Sequence, residues 1–145
     1  MPRWVRNIPL PEPHLVALGV GVVVRATNGW TFPLPSWLRL VGLGVVGAGL
    51  ALVAWAIWAS AHTYLADPDR LVTAGPFTIS RNPMYVGWTF AYVGVALTIM
   101  DVWLFVLLPA VLVATHLTVG REERRLRERF GPLYTAYAAK VRRYV

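Results

Sequence analysis

Residues 84–119 read MYVGWTFAYVGVALTIM, then Asp101, then VWLFVLLPAVLVATHLTV. A single aspartate parts two apolar runs, Met84–Met100 and Val102–Val119. A break that short folds the runs back on each other, so the stretch predicts an antiparallel hairpin of two membrane helices. Each run is apolar around its whole circumference, whereas a core helix of a soluble protein carries an apolar stripe. Pro109 predicts a kink in the second run, and neighbouring helices can satisfy the backbone groups it frees.

Two more apolar blocks precede the hairpin, one over 14–30 and one over 37–61. Across the 145 residues, 57% are hydrophobic and only 14% charged; a soluble domain carries about a quarter charged residues. The expected fold is all-α, a polytopic membrane protein forming one domain over 1–145. It has four transmembrane helices (14–30, 37–61, 84–100, 102–119), a cytosolic connecting loop, and a tail over 120–145 with amphipathic helices. The first block covers about 25 Å as a helix, slightly short of a hydrocarbon core. Arg25 near its end is expected to snorkel towards the headgroups.

The second block carries Gly42, Gly44, Gly47 and Gly49. Gly42-x-Gly44-x-x-Gly47 formally matches a dinucleotide-binding fingerprint, but that motif needs a preceding strand and none is present. Small residues four apart, Gly44/Ala48 and Gly47/Ala51, instead predict close helix approach in lipid. They make this span a candidate homodimer contact.

The chain has no cysteine and a net charge of +7, which excludes disulfides, thiolate metal sites and a cysteine nucleophile. His14, His62 and His116 have no spaced partners, so no metal site is expected. The arginines cluster beside the apolar blocks, so topology and membrane lipid headgroups explain them better than nucleic acid does. With both termini cytoplasmic, twelve basic residues fall inside: Arg3, Arg6, Arg70, Arg81, Arg121, Arg124, Arg125, Arg127, Arg129, Lys140, Arg142 and Arg143. Only Arg25 and Arg39 fall outside. That bias orients the loop before Met84 and the tail after Val119 to the cytosol.

In the tail, Glu122, Leu126 and Phe130 recur every four residues and share a helix face. A carboxylate aligned with that stripe must find a partner or shift its pKa. Glu123 stands four residues before Arg127, the spacing of a solvated surface ion pair. Gly131-Pro132 predicts a break, followed by an amphipathic segment whose Tyr134, Tyr137, Val141 and Tyr144 would anchor at the membrane interface. In the loop, Gly75-Pro76 reads as a tight turn. Asn82-Pro83 reads as an N-cap and first helical residue. Arg81 beside that helix start would make a carboxylate-binding site.

The run Leu71-Val72-Thr73-Ala74-Gly75-Pro76-Phe77, then Arg81-Asn82-Pro83-Met84-Tyr85-Val86-Gly87, resembles the isoprenylcysteine carboxyl methyltransferase family. That broader group includes bacterial and archaeal relatives and the phospholipid methyltransferases. Glu122-Glu123, Phe130-Gly131 and Tyr134-x-x-Tyr137 continue the pattern in order. The resemblance spans about half the chain. It implies a methyltransferase embedded in a prokaryotic cell membrane, using S-adenosyl-L-methionine without a soluble Rossmann domain. Carried over by position, Leu71, Val72, Phe77, Asn82, Pro83, Met84, Tyr85 and Glu122 contact the cofactor.

Arg81 and the helix start would hold the cofactor's carboxylate, and Glu122, with Glu123 beside it, its ammonium. Phe77 or Tyr85 would pack on the adenine or face the sulfonium. Arg81 and Glu122 are also the candidates for any catalytic role. The chain departs from the pattern with Arg-Asn-Pro where many relatives have Arg-His-Pro. It also has Thr118 where the eukaryotic isoprenylcysteine enzymes have a substrate-binding arginine. His116 and Thr118 are thereby candidates to face a different nucleophile. The expected acceptor is a lipophilic small molecule offering a carboxylate, thiol or amine. The competing readings are a four-helix transporter and a non-catalytic scaffold; a proton-coupled transporter is expected to bury a carboxylate mid-membrane, and no span contains one.

Overall fold

The computed structural model describes residues 11–29, 35–61, 63 and 68–145. Among them are five α-helices and no strand: α1 Glu12–Asn28, α2 Trp37–Ala59, α3 Pro83–Ile99, α4 Val102–Phe130 and α5 Pro132–Lys140. Arg3, Arg6 and His62, and Trp30 at the end of the first block, which enter the expectations above, lie outside the described residues. Two helices, α2 and α4, are long and apolar enough to cross a membrane. Helix α3 is apolar, but its 17 residues reach only about 26 Å against a hydrocarbon core of about 30 Å.

The hairpin turn forms where Asp101 predicted it. Met100 takes the left-handed conformation at φ 54°. Asp101 is fully buried and its carboxylate accepts the Trp103 N–H at 2.8 Å, capping α4. Tyr92 of α3 donates its hydroxyl to the Leu104 carbonyl at 2.8 Å, tying the two helices near the turn. Helix α1 runs alongside: its His14 ring meets Thr89 at 3.1 Å and its Arg25 donates to the Ile99 carbonyl. Arg25 therefore caps the C-terminal end of α3, a favourable place for a cation, rather than reaching for headgroups.

The most extensive packing joins α2 to α3, through glycines. A Cβ on Gly49 would stand 2.5 Å from the Gly87 carbonyl oxygen and 2.7 Å from the Ala91 nitrogen. One on Gly42 would stand 2.7 Å from the Thr98 nitrogen and 2.8 Å from the Gly94 carbonyl oxygen. Backbone lies against backbone here, as small residues permit in lipid. The seam uses Gly42 and Gly49, not the expected Gly44/Ala48 and Gly47/Ala51 pairs. Gly44 and Gly47 are exposed, with nothing within 4 Å of a built Cβ.

The tail differs from its expected outline. Helix α4 does not restart at Gly120 but runs unbroken from Val102 through Pro109 to Phe130, about 44 Å. Gly131, at φ 49°, then turns the chain into α5. Val141 is extended, so it and Tyr144 lie beyond the helix rather than on its face. Tyr134 is buried, and Tyr137 donates to the Phe77 carbonyl at 2.7 Å. Tyr137 thereby docks α5 onto the 75–78 loop, with the buried Tyr134 ring packed edge-on against it, instead of both lying out at the membrane interface. With α1 and α3 running one way and α2 and α4 the other, the start of α3, the loop before it and the end of α4 share one end of the bundle.

Candidate functional site

The loop enters this end through a 3₁₀ turn at Gly75–Thr78, with Gly75 at φ 60°. Phe77 and Met84 are buried together with Ala56, and Val72 packs against them. Leu71 is half-buried and Pro83 buried. These apolar members of the expected site form a small core between α2 and α3. Ser80 and Arg81 then run beside the C-terminal segment, where the Arg81 N–H donates to the Arg142 carbonyl at 2.9 Å.

Asn82 holds the N-cap position of α3, but its side chain makes no capping bond. Its amide instead donates to Glu123 Oε1 at 3.2 Å and to the Arg143 carbonyl at 3.1 Å. Glu123 is buried and serves as the hub. Arg81 Nε lies 3.4 Å from its Oε1. Arg143 reaches its Oε2 with Nε at 3.0 Å and Nη2 at 2.8 Å. The expected surface pair with Arg127 is not the one formed: the two cations that engage Glu123 are separated from it by 42 and 20 residues (123 − 81 and 143 − 123).

The reason lies in the register. Because α4 is continuous, the buried stripe descends from the apolar part as Thr115, Val119 and Glu123, each four residues on. Reading the tail as a fresh helix chose Glu122, Leu126 and Phe130, which are only half-buried. Extending the transmembrane stripe past Gly120 is the signal that finds Glu123. Arg143 was missed because nothing local links it to residue 123.

Glu122 points to a different partner. Its Oε1 accepts the Tyr85 hydroxyl at 2.8 Å. Burial pushes its pKa above the ordinary carboxylate value, opposed by the Tyr85 hydrogen bond and the charge of Arg125. A half-buried carboxylate without an ion pair among the described residues is suited to receiving a cation. On the other side, Arg81 Nε is buried and faces Glu123 Oε1 at 3.4 Å without making a hydrogen bond. The polar members of the expected site, Arg81, Asn82, Tyr85, Glu122 and Glu123, are thus brought together.

His116 and Thr118 are separated by their hydrogen bonds. Thr118 bonds back to the Ala114 carbonyl of its own helix at 3.0 Å. His116 is exposed; its Nε2 lies 3.3 Å from Arg143 Nη1 and its Nδ1 3.1 Å from the Tyr144 hydroxyl. Since arginine only donates, Nε2 accepts and the neutral ring carries its proton on Nδ1. Burial raises the pKa of Tyr144, against the opposing charge of Arg143, and burial and Tyr134 push that of Tyr137 up to about 12. Both phenols are therefore neutral near pH 7. Beside His116 opens a cavity of about 430 Å³, lined also by Arg121, Arg124, Arg127 and Arg143.

A family model described as phospholipid methyltransferase matches residues 37–132. The match takes in α2, the loop, α3 and all of α4, including both glutamates. Over 69 residues the chain is 38% identical to the phosphatidyl-N-methylethanolamine N-methyltransferase of Saccharomyces cerevisiae. That alignment covers 43% of this chain and 33% of the relative, so the chain matches about a third of the length of that curated protein. Both likenesses fall in the phospholipid branch of the broader group rather than the isoprenylcysteine branch.

Proposed function

The chain belongs to the phospholipid methyltransferase family, and from that premise we propose that this membrane methyltransferase moves a methyl group from S-adenosyl-L-methionine to the amine of a phospholipid headgroup. Convergence of α3 and α4 is the observation that carries the reading: Tyr85 with Glu122 at 2.8 Å, and Asn82 with Glu123 at 3.2 Å. When bound, the cofactor supplies a methyl group already activated on a sulfonium.

The chain's own residues have the remaining work of binding, orienting and excluding water. Glu122 holds the cofactor's ammonium, with Tyr85 fixing the carboxylate. Arg81 and the start of α3 hold its carboxylate. Leu71, Val72, Phe77, Pro83 and Met84 supply the apolar wall beside the adenosine. Glu123, already engaged by Arg81, Asn82 and Arg143, acts by keeping that frame in place. The amine would be the group that takes this methyl, and the chain's part would be to keep nitrogen and methyl in line. An amine that still carries hydrogen loses a proton to water. Alignment of this kind lowers a barrier by roughly 7–11 kcal/mol in favourable cases.

The same reading places α1 to α4 across the membrane as four spans in one domain, with both termini and the site on the cytosolic side of a prokaryotic cell membrane. The lipid then enters sideways and the cofactor from water. An exposed Gly44/Gly47 face on α2 leaves room for a second copy, which crosslinking through introduced cysteines tests. The methyltransferase assignment displaces the transporter and scaffold readings.

The functional test is transfer itself. Protein in nanodiscs holding phosphatidyl-N-methylethanolamine is given cofactor labelled in its methyl group. Label in the extracted lipid is expected; label confined to free carboxylic acids or thiols would replace the amine acceptor.

A further inference from the structure

We propose that the cavity beside α4, which adjoins the methyl-transfer frame through Glu123 and Arg143, is a binding site for the phosphate of an anionic membrane lipid. The inference rests on the membrane orientation proposed above but not on the identity of the methyl acceptor. Its floor is Gly120, where a Cβ would meet nothing within 4 Å. Arg121, Arg124 and Arg127 follow on the same helix at the spacing that keeps them on one face, and Arg143 closes the far side.

The charge in this cavity is unbalanced. Its one carboxylate, Glu123, is turned inward to Arg81, Asn82 and Arg143. Because Arg127 does not pair with Glu123, it and Arg121 and Arg124 have no ion-pair partner among the described residues. Three uncompensated guanidiniums around about 430 Å³ suit a phosphate, which arginine forks bind bidentately.

The setting selects a lipid. The turns of α4 directly before the cavity expose Leu112, Val113 and Leu117, a surface for acyl chains, and the arginines begin where those residues stop. A basic pocket at the cytosolic edge of membrane helices is where anionic headgroups bind. It also selects against a zwitterionic lipid, whose ammonium would face arginines while the one carboxylate of the lining is already engaged.

The test uses full-length protein in detergent, titrated with vesicles of phosphatidylcholine alone or with a fifth phosphatidylglycerol, read by tryptophan fluorescence or native mass spectrometry. Wild type is expected to prefer the anionic vesicles, and Arg121→Gln/Arg124→Gln/Arg127→Gln to lose about a hundredfold of that preference. The triple lysine variant, which keeps charge but loses the forks, is expected to fall between them. Arg39→Gln, exposed at the opposite end, is expected to bind as wild type. Equal binding to both vesicles, or an unchanged triple glutamine variant with a wild-type melting profile, would overturn the site. Saturation by millimolar inorganic phosphate with no response to lipid would show a free-anion site instead and overturn the lipid assignment.

Discussion

The seam between α2 and α3 and the junction between α3 and α4 are built on opposite plans. The seam is held by close approach rather than by charged side chains; backbone meets backbone because Gly42, Gly49, Gly87 and Gly94 have nothing to hold it off. The one polar side chain among the closest contacts is Thr98, whose hydroxyl stands 2.6 Å from the Cβ position of Gly42. At the junction, backbones stay apart and side chains bridge them, with Glu122 and Glu123 receiving Tyr85, Asn82, Arg81 and Arg143. A glycine seam has one arrangement and tolerates no added atom. A bridged junction can exchange partners, which a binding site requires. Within the junction, Glu123 belongs to the rigid plan, and Glu122 is the carboxylate free to change partner.

That contrast orders the expected effects. Glu123→Ala leaves Arg81 and Arg143 without their carboxylate, and should lower unfolding stability by about 3 kcal/mol. This is the low end for a buried pair, because Arg143 is 35% exposed. Gly49→Ala forces a methyl against the Gly87 and Ala91 backbone and should cost about 1–3 kcal/mol in thermal melts. A loss in Gly49→Ala exceeding that in Glu123→Ala would reverse the ranking of seam and hub.

Glu122→Gln should change stability at pH 7 by less than about 1 kcal/mol while weakening cofactor binding at least tenfold. Its pH dependence sharpens the point. Burial holds the Glu122 proton to higher pH in the folded chain than in the unfolded one. Wild type should therefore lose stability relative to Glu122→Gln as pH rises from the ordinary carboxylate range through that raised value. Cofactor affinity should rise over the same window, because the ammonium needs the ionised form. Parallel stability curves would remove the burial argument. The smallest effect is Gly44→Ala, on the outward face of α2, expected to stabilise by about 0.5–1 kcal/mol through helix propensity.

The helices were legible because apolar runs bounded by Asp101 and Asn82-Pro83 leave little choice: α3 and α2 begin and end within about two residues of the expected spans. Juxtaposition of the two polar segments was legible too, since hairpin and charge bias both place them at one end. What could not be read was which partner each side chain takes. Asn82 looks like a cap in its local sequence, yet a carboxylate 41 residues away is its better acceptor. Glu122 and Glu123 differ by one position, a rotation of about 100° on a helix. Their roles follow only from knowing that α4 never breaks at Gly120. Arg143 carries no local signal at all.

A double-mutant cycle on S-adenosylhomocysteine affinity tests most directly whether α3 and α4 together form the donor pocket. Wild type, Tyr85→Phe, Glu122→Gln and the double variant would be titrated by calorimetry at pH 7. Both single changes should weaken binding, and the double variant should lose less than the sum of the two, because one hydrogen bond joins the pair. Four indistinguishable isotherms, each with wild-type affinity, would contradict the account.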